Sequence, residues 1–250
     1  MAKAMYIGVH EDAYLSTDIA NTGVYKEVTS GFNVLRGFKI KFKPQLSSNA
    51  WQHVLNLGGT GNNTILCLGL NVGKISLEYS PDLVATHKQH LFLAAAYTVG
   101  QLLEVEFLVD PTTYIGTCKI NGVTMGTLQM DSTAAAINNN LTMFNCEQTA
   151  TQSRPTQPRP TQIDWYSLEI YNGNTLTTTY TPYRTTQAAI LTHQASGGLD
   201  IIIPINDVVY HGAKDVAHKV TKMYIGDSNN QARSITKAYI GVSDQARQFF

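Results

Sequence analysis

The chain has 250 residues and carries 18 Lys plus Arg against 18 Asp plus Glu, so its formal net charge is zero. Nucleic acids and anionic membranes both favour a basic surface, and we therefore expect neither as a partner. Charged residues make up 14% of the chain, below the roughly one quarter of an average soluble protein. The length suits one sandwich-sized domain with small appendages. A low-charge surface is common in all-β proteins that are built into larger assemblies or exposed outside cells.

The first predicted element is a β-strand in the N-terminal phrase KAMYIGVHEDAY, residues 3–14. Its β-favouring run contains Tyr6, Ile7 and Gly8, and polar residues follow. The same sequence motif occurs twice more in the C-terminal part of the chain. We assign residues 1–20 to an N-terminal repeat of this type.

A succession of short strands follows, in which apolar and polar residues alternate as they do in half-buried strands. In the stretch 38–43, FKIKFK, three apolar residues face one way and three lysines the other. Asn121-Gly122 is a strong hairpin signal between two of these strands. The pattern predicts an all-β protein with two packed antiparallel sheets. The predicted strands are 38–43, 52–57, 65–70, 74–79, 91–96, 102–109, 114–120, 124–128, 141–145 and 165–171.

A proline-rich segment, RPTQPRPTQ, occupies residues 154–162 just before the last of these strands. Its composition favours extended polyproline geometry, and we interpret it as an insertion in a loop of the sandwich. It is either a solvated connector or an exposed finger that touches a neighbouring subunit or a host surface. Helical periodicity is weak throughout, and residues 211–220 are the one stretch that favours an amphipathic helix.

The last elements are two further copies of the terminal phrase, KMYIGDSNNQAR (222–233) and KAYIGVSDQARQFF (237–250). Strand runs separated by polar turns predict a three-stranded meander, and the glycine suits a bulge or a close approach of another backbone. A meander of this size has too little core to be stable alone. We therefore expect the N-terminal copy to pair with it or to pack beside it, with the three tyrosines on one face. The repeated residues here are Tyr224, Ile225 and Gly226, and Tyr239, Ile240 and Gly241.

Three internal stretches resemble the concanavalin A-like, laminin-G-like jelly rolls encoded in bacteriophage and prophage genomes. They are LLEVEFLVD, TYIGTCKINGVTMGTLQM and IDWYSLEIYNGNTLTTTYTPYR, and the resemblance covers residues 24–184. The terminal phrase resembles short tandem repeats on virion proteins of phages that infect Gram-positive bacteria. The expected organisation is an N-terminal repeat (1–20), a concanavalin A-like jelly-roll domain (21–210) and C-terminal tandem repeats (211–250).

These resemblances imply a non-enzymatic structural protein of the virion, a head or tail appendage present in several copies per particle. The jelly roll is expected to bind carbohydrate, such as a bacterial surface polysaccharide. The terminal repeats would bring the chain ends together at one pole and mount the protein on other virion proteins through main-chain hydrogen bonds. The opposite pole would then face outward. The alternative is a free-standing, prophage-encoded or cellular lectin.

Related jelly rolls include glycoside hydrolases, which need two carboxylates that face one sugar cleft. Glu104 and Glu106 have the spacing that places two carboxylates on one face of a strand. Leu108 breaks the Glu-x-Asp-x-Glu pattern of the hydrolases, so we interpret the two glutamates as a solvated face or an edge pair. The sequence has no Gly-x-Ser-x-Gly motif and no Cys next to a plausible His partner. We expect no enzyme activity.

Aromatic residues near strand ends are the candidate sugar contacts, because aromatic faces stack on sugar rings. Trp51 and Trp165 lie inside alternating strand patterns and are assigned to the core instead. The candidates for ligand binding are Tyr97, Tyr114, Tyr180 and Tyr183.

No cofactor is expected, and calcium is the one ion left open. His87 and His90 have a ligand-like spacing but no third ligand close in sequence. Laminin-G-like domains often hold calcium through Asp and carbonyl oxygens, for which Asp110 or Asp131 is available.

Cysteine usage predicts no disulfide framework, since the three cysteines are odd in number and widely spaced. We interpret Cys67, Cys118 and Cys146 as small apolar residues of strands. The sequence also has no signal-peptide pattern and no apolar span long enough to cross a bilayer.

Overall fold

The computed structural model of the chain describes the larger part of its residues. These are residues 5–18, 25–32, 37–47, 51–58, 65–80, 89–131, 139–144, 160–184, 188–193, 201–204, 208–220, 224–226, 232–234, 239–242 and 245–248. They form strands and turns without a helix. Over these residues there is accordingly no apolar helix of the length needed to cross a bilayer.

The strands are numbered in chain order. The first eight are β1 (Met5–Glu11), β2 (Tyr14–Thr17), β3 (Tyr25–Phe32), β4 (Gly37–Pro44), β5 (Gln52–Gly58), β6 (Ile65–Asn71), β7 (Lys74–Ser80) and β8 (Gln89–Ala96). The next eight are β9 (Leu103–Val109), β10 (Ile115–Ile120), β11 (Val123–Gln129), β12 (Asn139–Met143), β13 (Ile163–Asn172), β14 (Thr175–Arg184), β15 (Ala188–His193) and β16 (Ile201–Pro204). The last are β17 (Val208–His211), β18 (Lys214–Val220), β19 (Tyr224–Gly226), β20 (Ala232–Ser234), β21 (Tyr239–Val242) and β22 (Gln245–Gln248).

Two large antiparallel sheets dominate the described residues. The ten-stranded sheet has the order β11-β10-β9-β4-β13-β14-β15-β16, and β2 joins it by pairing with both β13 and β17. The six-stranded sheet has the order β3-β12-β5-β6-β7-β8. The prediction of two antiparallel sheets is confirmed, and the predicted strands agree with the observed ones to within two residues at each end.

The core is built from the inward-facing residues of both sheets, which belong to a single apolar cluster. In β4, Phe38, Ile40 and Phe42 are fully buried, while the lysines between them are half-buried. This is the alternation that a strand with one face on the core requires. Other fully buried members are Val105, Phe107, Trp165, Leu168 and Ile170 from the ten-stranded sheet and Leu55, Leu57, Leu68, Leu70, Leu77, Leu141 and Met143 from the six-stranded sheet.

The β10–β11 turn has the geometry that Asn121-Gly122 predicts. Both residues have positive φ, 49° and 80°, as a two-residue type I′ hairpin requires. Asn121 also ties the turn to β9, because its backbone N donates to the Glu104 carbonyl and its side-chain Oδ1 accepts from the Glu104 backbone N, both at 2.8 Å. A side chain and a backbone group therefore fix this end of the sheet together.

The end of the proline-rich segment is packed into the sandwich. Thr161 is fully buried, its Oγ1 donates to the His53 carbonyl at 2.6 Å, and its carbonyl accepts from Thr17 Oγ1 at 2.6 Å. Gln162 N donates to Gln52 Oε1 at 3.0 Å. Neither a solvated connector nor an exposed finger describes residues 161 and 162, since their hydrogen bonds reach two strands, β2 and β5. Residues 154–159 lie outside the described residues.

The chain divides into two compact units, one of residues 13–212 and one of residues 1–12 with 213–250. The first unit contains both large sheets. Its first and last strands, β2 and β17, are neighbours, with Tyr14 opposite His211. The chain therefore enters and leaves this unit side by side. Residues 14–17, which we assigned to the N-terminal repeat, are a strand of the ten-stranded sheet.

The second unit, called the terminal unit below, contains three two-stranded antiparallel sheets within the described residues: β1–β18, β19–β20 and β21–β22. The helix predicted at 211–220 is wrong, because most of this stretch is β18 and pairs with the N-terminal strand along seven residues, from Lys214 to Val220. Each C-terminal Tyr-Ile-Gly strand forms a hairpin with the segment that follows it. Residues 235–238, which would join the two hairpins into the predicted three-stranded meander, lie outside the described residues.

The three ladders of the terminal unit share one register. In each, the glycine of Tyr-Ile-Gly lies opposite an alanine and the isoleucine lies opposite a basic residue. No register shift occurs at the glycine, so the predicted bulge is wrong. The pairs are Gly8 with Ala217 and Ile7 with His218, Gly226 with Ala232 and Ile225 with Arg233, and Gly241 with Ala246 and Ile240 with Arg247.

The N-terminal repeat is therefore split between the two ends of the chain. Its Tyr-Ile-Gly half is in β1, and β18 supplies the half that Ala-Arg supplies in the other two copies. The sequence agrees once the register is known, since AHKVTKMYIG (217–226) aligns without gaps to ARSITKAYIG (232–241). The phrase alone did not reveal this half, because His218 replaces the arginine.

Candidate functional site

A group of polar and aromatic side chains lies on the outer face of the ten-stranded sheet, the face turned away from the core. They come from the outward positions of β2, β4, β13 and β17 and from the residue after β4's end, Gln45. We call this group the outer cluster, defined as Tyr14, Ser16, Lys41, Lys43, Gln45, Asp164, Tyr166 and His211.

A β-bulge places Tyr166 at the centre of the outer cluster. Trp165 pairs with Phe42 and Ser167 pairs with Lys41, so Tyr166 is an extra residue in β13. A bulge re-aims a side chain and is common next to functional sites. Here Trp165 is fully buried on the core side, while the Tyr166 ring lies between two lysines of β4.

Two ammonium groups converge on the Tyr166 ring. Lys41 Nζ lies 5.7 Å and Lys43 Nζ 5.2 Å from the ring centroid, both within cation–π range. A hydrogen bond with Tyr166 is the main cause that raises the pKa of Lys43, and the charge of Asp164 adds to it. Lys43 therefore keeps a positive charge at this point of the sheet at neutral pH.

Three aromatic rings lie in a row across β13, β2 and β17. The Tyr14 ring stacks on the His211 ring with centroids 4.3 Å apart and planes 12° apart, and lies 5.1 Å from the Tyr166 ring. Tyr166 is almost covered, whereas Tyr14 and His211 are half-buried. Val209, which pairs with Ser16, is 58% exposed and extends the row with an apolar edge.

A hydrogen-bond chain fixes the polar members of the outer cluster. Asp164 accepts from Ser16 Oγ at Oδ1 (2.7 Å) and from Gln45 Nε2 at Oδ2 (2.6 Å). Ser16 Oγ lies 3.1 Å from His211 Nε2. Because the only hydroxyl proton of Ser16 is given to Asp164, His211 Nε2 is the donor in that contact.

Ser16, His211 and Asp164 are the residue types of a hydrolytic triad in a different order. In a triad the imidazole sits between the hydroxyl and the carboxylate and accepts the hydroxyl proton. Here the hydroxyl sits in the middle and bonds the carboxylate directly. This order holds Ser16 in place but leaves it without a base.

A second imidazole contact joins Cys67 of β6 to His53 of β5, a pairing that we did not predict from sequence. Cys67 Sγ lies 3.4 Å from His53 Nδ1, and the same nitrogen lies 3.1 Å from Asn56 Oδ1. An amide oxygen accepts, so Nδ1 carries the proton and does not take one from the thiol. Cys67 is also buried, and the contact therefore does not prepare a nucleophile.

The rest of the outer face carries ion pairs. Lys39 Nζ lies 3.0 Å from Glu104 Oε1, and Lys119 Nζ lies 2.7 Å from Glu106 Oε1. The hydrogen bond to Glu104 raises the pKa of Lys39. Glu104 and Glu106 thus each have a cationic partner on a half-exposed sheet surface.

The double variant Glu104→Gln/Glu106→Gln should keep every binding property of the protein and lose little stability. Partly exposed ion pairs contribute about 1 kcal/mol or less each, so urea unfolding should shift only slightly towards lower stability. If the unchanged protein cleaves a glycan and this variant does not, the two glutamates belong to an active site and our interpretation of them is wrong.

Comparison with known proteins bears on the fold. The sequence matches no protein-family model and no curated protein. Among solved structures, the heptameric SAP-like pentraxin of Limulus polyphemus matches 80% of this chain and 94% of its own, with a TM-score of 0.51 and 10% identity. Domains LG4-5 of the mouse laminin alpha1 chain match 79% of this chain and 49% of their own, with a TM-score of 0.51 and 7% identity.

The fold is a concanavalin A-like jelly roll. It was the fold class expected from the sequence, and the two comparisons confirm it. Full-length tailspike protein 2 of the Escherichia coli O157:H7 bacteriophage CAB120 matches 69% of this chain and 26% of its own, with a TM-score of 0.46 and 11% identity. With a TM-score below 0.5, this similarity indicates nothing about function.

Two of the four predicted tyrosines are buried in the jelly roll. Tyr180 is fully buried in the core, and Tyr97 is buried with its hydroxyl donating to the Leu46 carbonyl at 3.0 Å. Burial raises the pKa of Tyr97. Tyr114 packs against the core with a φ of 57°. Tyr183 lies in β14, but its side chain is outside the described part. We no longer regard Tyr97 and Tyr180 as sugar contacts, because a ligand cannot reach their rings.

The tryptophans differ in their surroundings. Trp165 is a fully buried member of the core. Trp51 is half-buried outside that cluster, and its ring lies over Gly69, where a Cβ would approach two ring carbons at 3.1 Å. A Cβ at Gly69 would therefore require the Trp51 ring to move by a few tenths of an ångström.

The predicted metal ligands have other contacts. Asp110 Oδ1 accepts from the backbone N atoms of Thr112 and Thr113 at 2.8 and 2.9 Å, which closes the β9–β10 turn and lowers the pKa of Asp110. The backbone N of Asp131 donates to Tyr79 Oη at 3.0 Å. In the described ranges no three His, Cys, Asp or Glu side chains gather as metal ligands would. His87 is outside those ranges, as is the side chain of His90.

Cys67 and Cys118 are both buried in strands and neither forms a disulfide, and Cys146 lies outside the described residues. Burial is the main cause that raises the pKa of Cys118 to about 12, so this thiol stays protonated and unreactive at neutral pH.

The outer cluster was not predicted, although one signal for it is visible in the sequence. Trp165 and Tyr166 are adjacent large aromatic residues, which strict alternation cannot place on one face and which a bulge accommodates. The three lysines of FKIKFK were correctly placed on one face of their strand. The contributions of Tyr14 and His211 depend on the pairing of the first and last jelly-roll strands, which no local pattern reveals.

Proposed function

We propose that this protein is a non-enzymatic structural protein of a bacteriophage particle whose jelly roll binds carbohydrate on the host surface. The outer cluster is the proposed binding site, and the terminal unit is the proposed anchor to other virion proteins. The single observation that carries the binding proposal is the convergence of Tyr14, Tyr166, His211 and two lysines on one sheet face.

The chemistry of the outer cluster suits a sugar. Aromatic rings offer an apolar surface for the C–H face of a pyranose, while positioned polar groups beside them give orientation. Tyr14 and His211 supply half-buried rings, and Val209 supplies an exposed apolar edge. The hydrogen-bond chain through Ser16 and Asp164 keeps the polar groups in fixed positions, which lowers the entropy lost on binding.

The anchoring proposal rests on the terminal unit and on the resemblance of its phrase to phage virion repeats. Two-stranded sheets leave unpaired backbone groups on both edges, and an edge of this kind can accept a strand from a partner. The shared Gly–Ala and Ile–basic register makes three equivalent modules available to such a partner.

The alternative is a free-standing lectin, either prophage-encoded or cellular. The outer cluster would have the same role in it. The two functions differ in whether the terminal unit is needed for assembly into a particle.

Tyr14→Ala in the full-length protein tests the sugar site on a glycan array. We expect the unchanged protein to bind at least one class of glycan and the variant to lose about tenfold or more in affinity, since stacking on an aromatic ring contributes on the order of 1–2 kcal/mol. Tyr171→Ala is the matched control, because Tyr171 lies on the same outer face and bonds Glu169 instead of the outer cluster. Equal binding by both variants, or no binding by the unchanged protein, would remove the outer cluster as a sugar site.

A further inference from the structure

We infer that the jelly roll is inserted into the turn of the first hairpin module of the terminal unit, β1–β18, and that this module closes only when the jelly roll is folded. If the terminal unit is the anchor that we propose, the anchor is then complete only in copies whose binding domain is folded. That last step rests on the proposed function, whereas the insertion and the dependence on folding do not.

The first reason is the length of chain that separates the two strands of each module. In β19–β20, five residues, 227–231, separate the glycine from the alanine opposite it, and in β21–β22 four residues do, 242–245. In the first module the same gap contains the whole jelly-roll unit, residues 13–212. The jelly roll therefore takes the place that four or five residues have in the other two modules.

The second reason is the entropy of closing the first module on an unfolded chain. The probability of closing a flexible loop falls as the three-halves power of its length, so a loop of about 200 residues closes on the order of 100-fold less often than one of about five. A two-stranded hairpin is at most marginally stable by itself. In the described part of the chain, β1 pairs with no strand other than β18. Without a folded jelly roll the first module is therefore open.

The third reason is that the folded jelly roll removes this cost. It holds Tyr14 opposite His211, and the ladder of the first module begins with Glu11 opposite Lys214. Two residues on each strand join these two pairs. Because both connections have the same length, β1 and β18 begin in the register that β2 and β17 already have. The folded jelly roll thus replaces one very long loop by two short connections.

Hydrogen exchange of the full-length protein across a urea titration, measured by mass spectrometry, tests this inference. Peptides that cover β1 should lose their protection at the urea concentration at which peptides of β4 and β13 in the jelly roll lose theirs. The reason is that segments which open together exchange together, and the closed first module requires the folded jelly roll.

Gly116→Ala separates this dependence from a chance agreement of two midpoints. A Cβ at Gly116 would overlap the buried Phe107 ring, so the jelly roll of this variant should unfold at a lower urea concentration, and β1 should lose its protection there as well. Between the midpoints of the two proteins, β1 should exchange at least about tenfold faster in the variant, since closure of the module becomes on the order of 100-fold less favourable. If Gly116→Ala does not fold at all, β1 should be unprotected in it without urea. Peptides of β19 to β22 should not respond, because their strands are joined locally.

Gly212→Ala is the matched control. It lies between β17 and β18, next to the first module, and a Cβ there would approach nothing closer than Tyr210 Cε1 at 3.6 Å. Both the jelly roll and β1 should therefore keep the midpoints of the unchanged protein.

Three results would overturn the inference. Protection of β1 could persist above the urea midpoint of the jelly roll, it could stay unchanged in Gly116→Ala while that midpoint falls, or it could be absent from the folded, unchanged protein. None of these results bears on the proposed function, which is decided separately by the glycan array with Tyr14→Ala and by the assembly of truncated protein into particles.

Discussion

Replacing Gly116 by Ala is expected to lower the free energy of unfolding of the jelly roll by about 3 kcal/mol, the upper part of the range for overpacking a core. Gly116 lies in β10 on the core side, with the Phe107 ring directly over it. A Cβ there would lie 2.0 Å from Phe107 Cζ and 2.4 Å from Cε2, much closer than packed carbon atoms come.

Phe107 has little room to retreat from an added methyl group. It is fully buried and its ring lies 6.0 Å from that of Phe38. Its own backbone is crowded by Gly37, where a Cβ would lie 2.7 Å from the Phe107 carbonyl oxygen. Gly116 therefore makes room for the Phe107 ring and Gly37 for the backbone of Phe107 and Leu108, so a Cβ at either position forces its neighbours to shift.

Gly212→Ala is the control, because a Cβ there would approach nothing closer than Tyr210 Cε1 at 3.6 Å. It should change stability by no more than about 0.5 kcal/mol. Urea unfolding followed by the fluorescence of Trp165, which lies in the core, measures both variants. A loss below about 1 kcal/mol for Gly116→Ala would contradict the described packing of Phe107.

Removing residues 222–250 should abolish incorporation into phage particles while leaving the jelly roll folded. The described strands of that segment, β19 to β22, pair with one another and contribute nothing to either large sheet. Thermal unfolding of the jelly roll should therefore change little, whereas two of the three repeat modules are lost.

Quantitative mass spectrometry of purified particles measures incorporation of the truncated protein. Full-length Tyr14→Ala is the control and should assemble normally, since it changes the proposed sugar site and leaves the repeats intact. If the truncated protein assembles at the normal copy number, the repeats are not the anchor and need another explanation.

Most of the fold could be predicted from the alternation of apolar and polar residues along the strands. Stretches such as FKIKFK determine both the strand and the face it buries, because a side-chain period of two leaves one register that buries the apolar face. The Asn121-Gly122 turn was predictable for a similar reason, since positive φ at two successive residues selects Asn and Gly.

The candidate site was not predictable to the same degree. Its members depend on β2 pairing with β13 and β17, strands far apart in sequence, and on a bulge that turns Tyr166 outward. The split N-terminal repeat was missed for a related reason. Residues 211–220 have a weak helical pattern, and the strand that most of them form pairs with β1, at the other end of the sequence. No local pattern indicates such a partner.

Tyr14 and His211 belong to the strands by which the chain enters and leaves the jelly roll. On a particle, the outer face must be accessible to solvent for the proposed sugar site to function.

Electron cryo-microscopy of the assembled particles tests the central claim most directly. We expect density for the jelly roll on the particle surface, with the terminal unit making the contacts to the particle. The outer face around Tyr14 and Lys43 should be open to solvent. Particles without the protein, or with the outer face covered by a neighbouring virion protein, would contradict it.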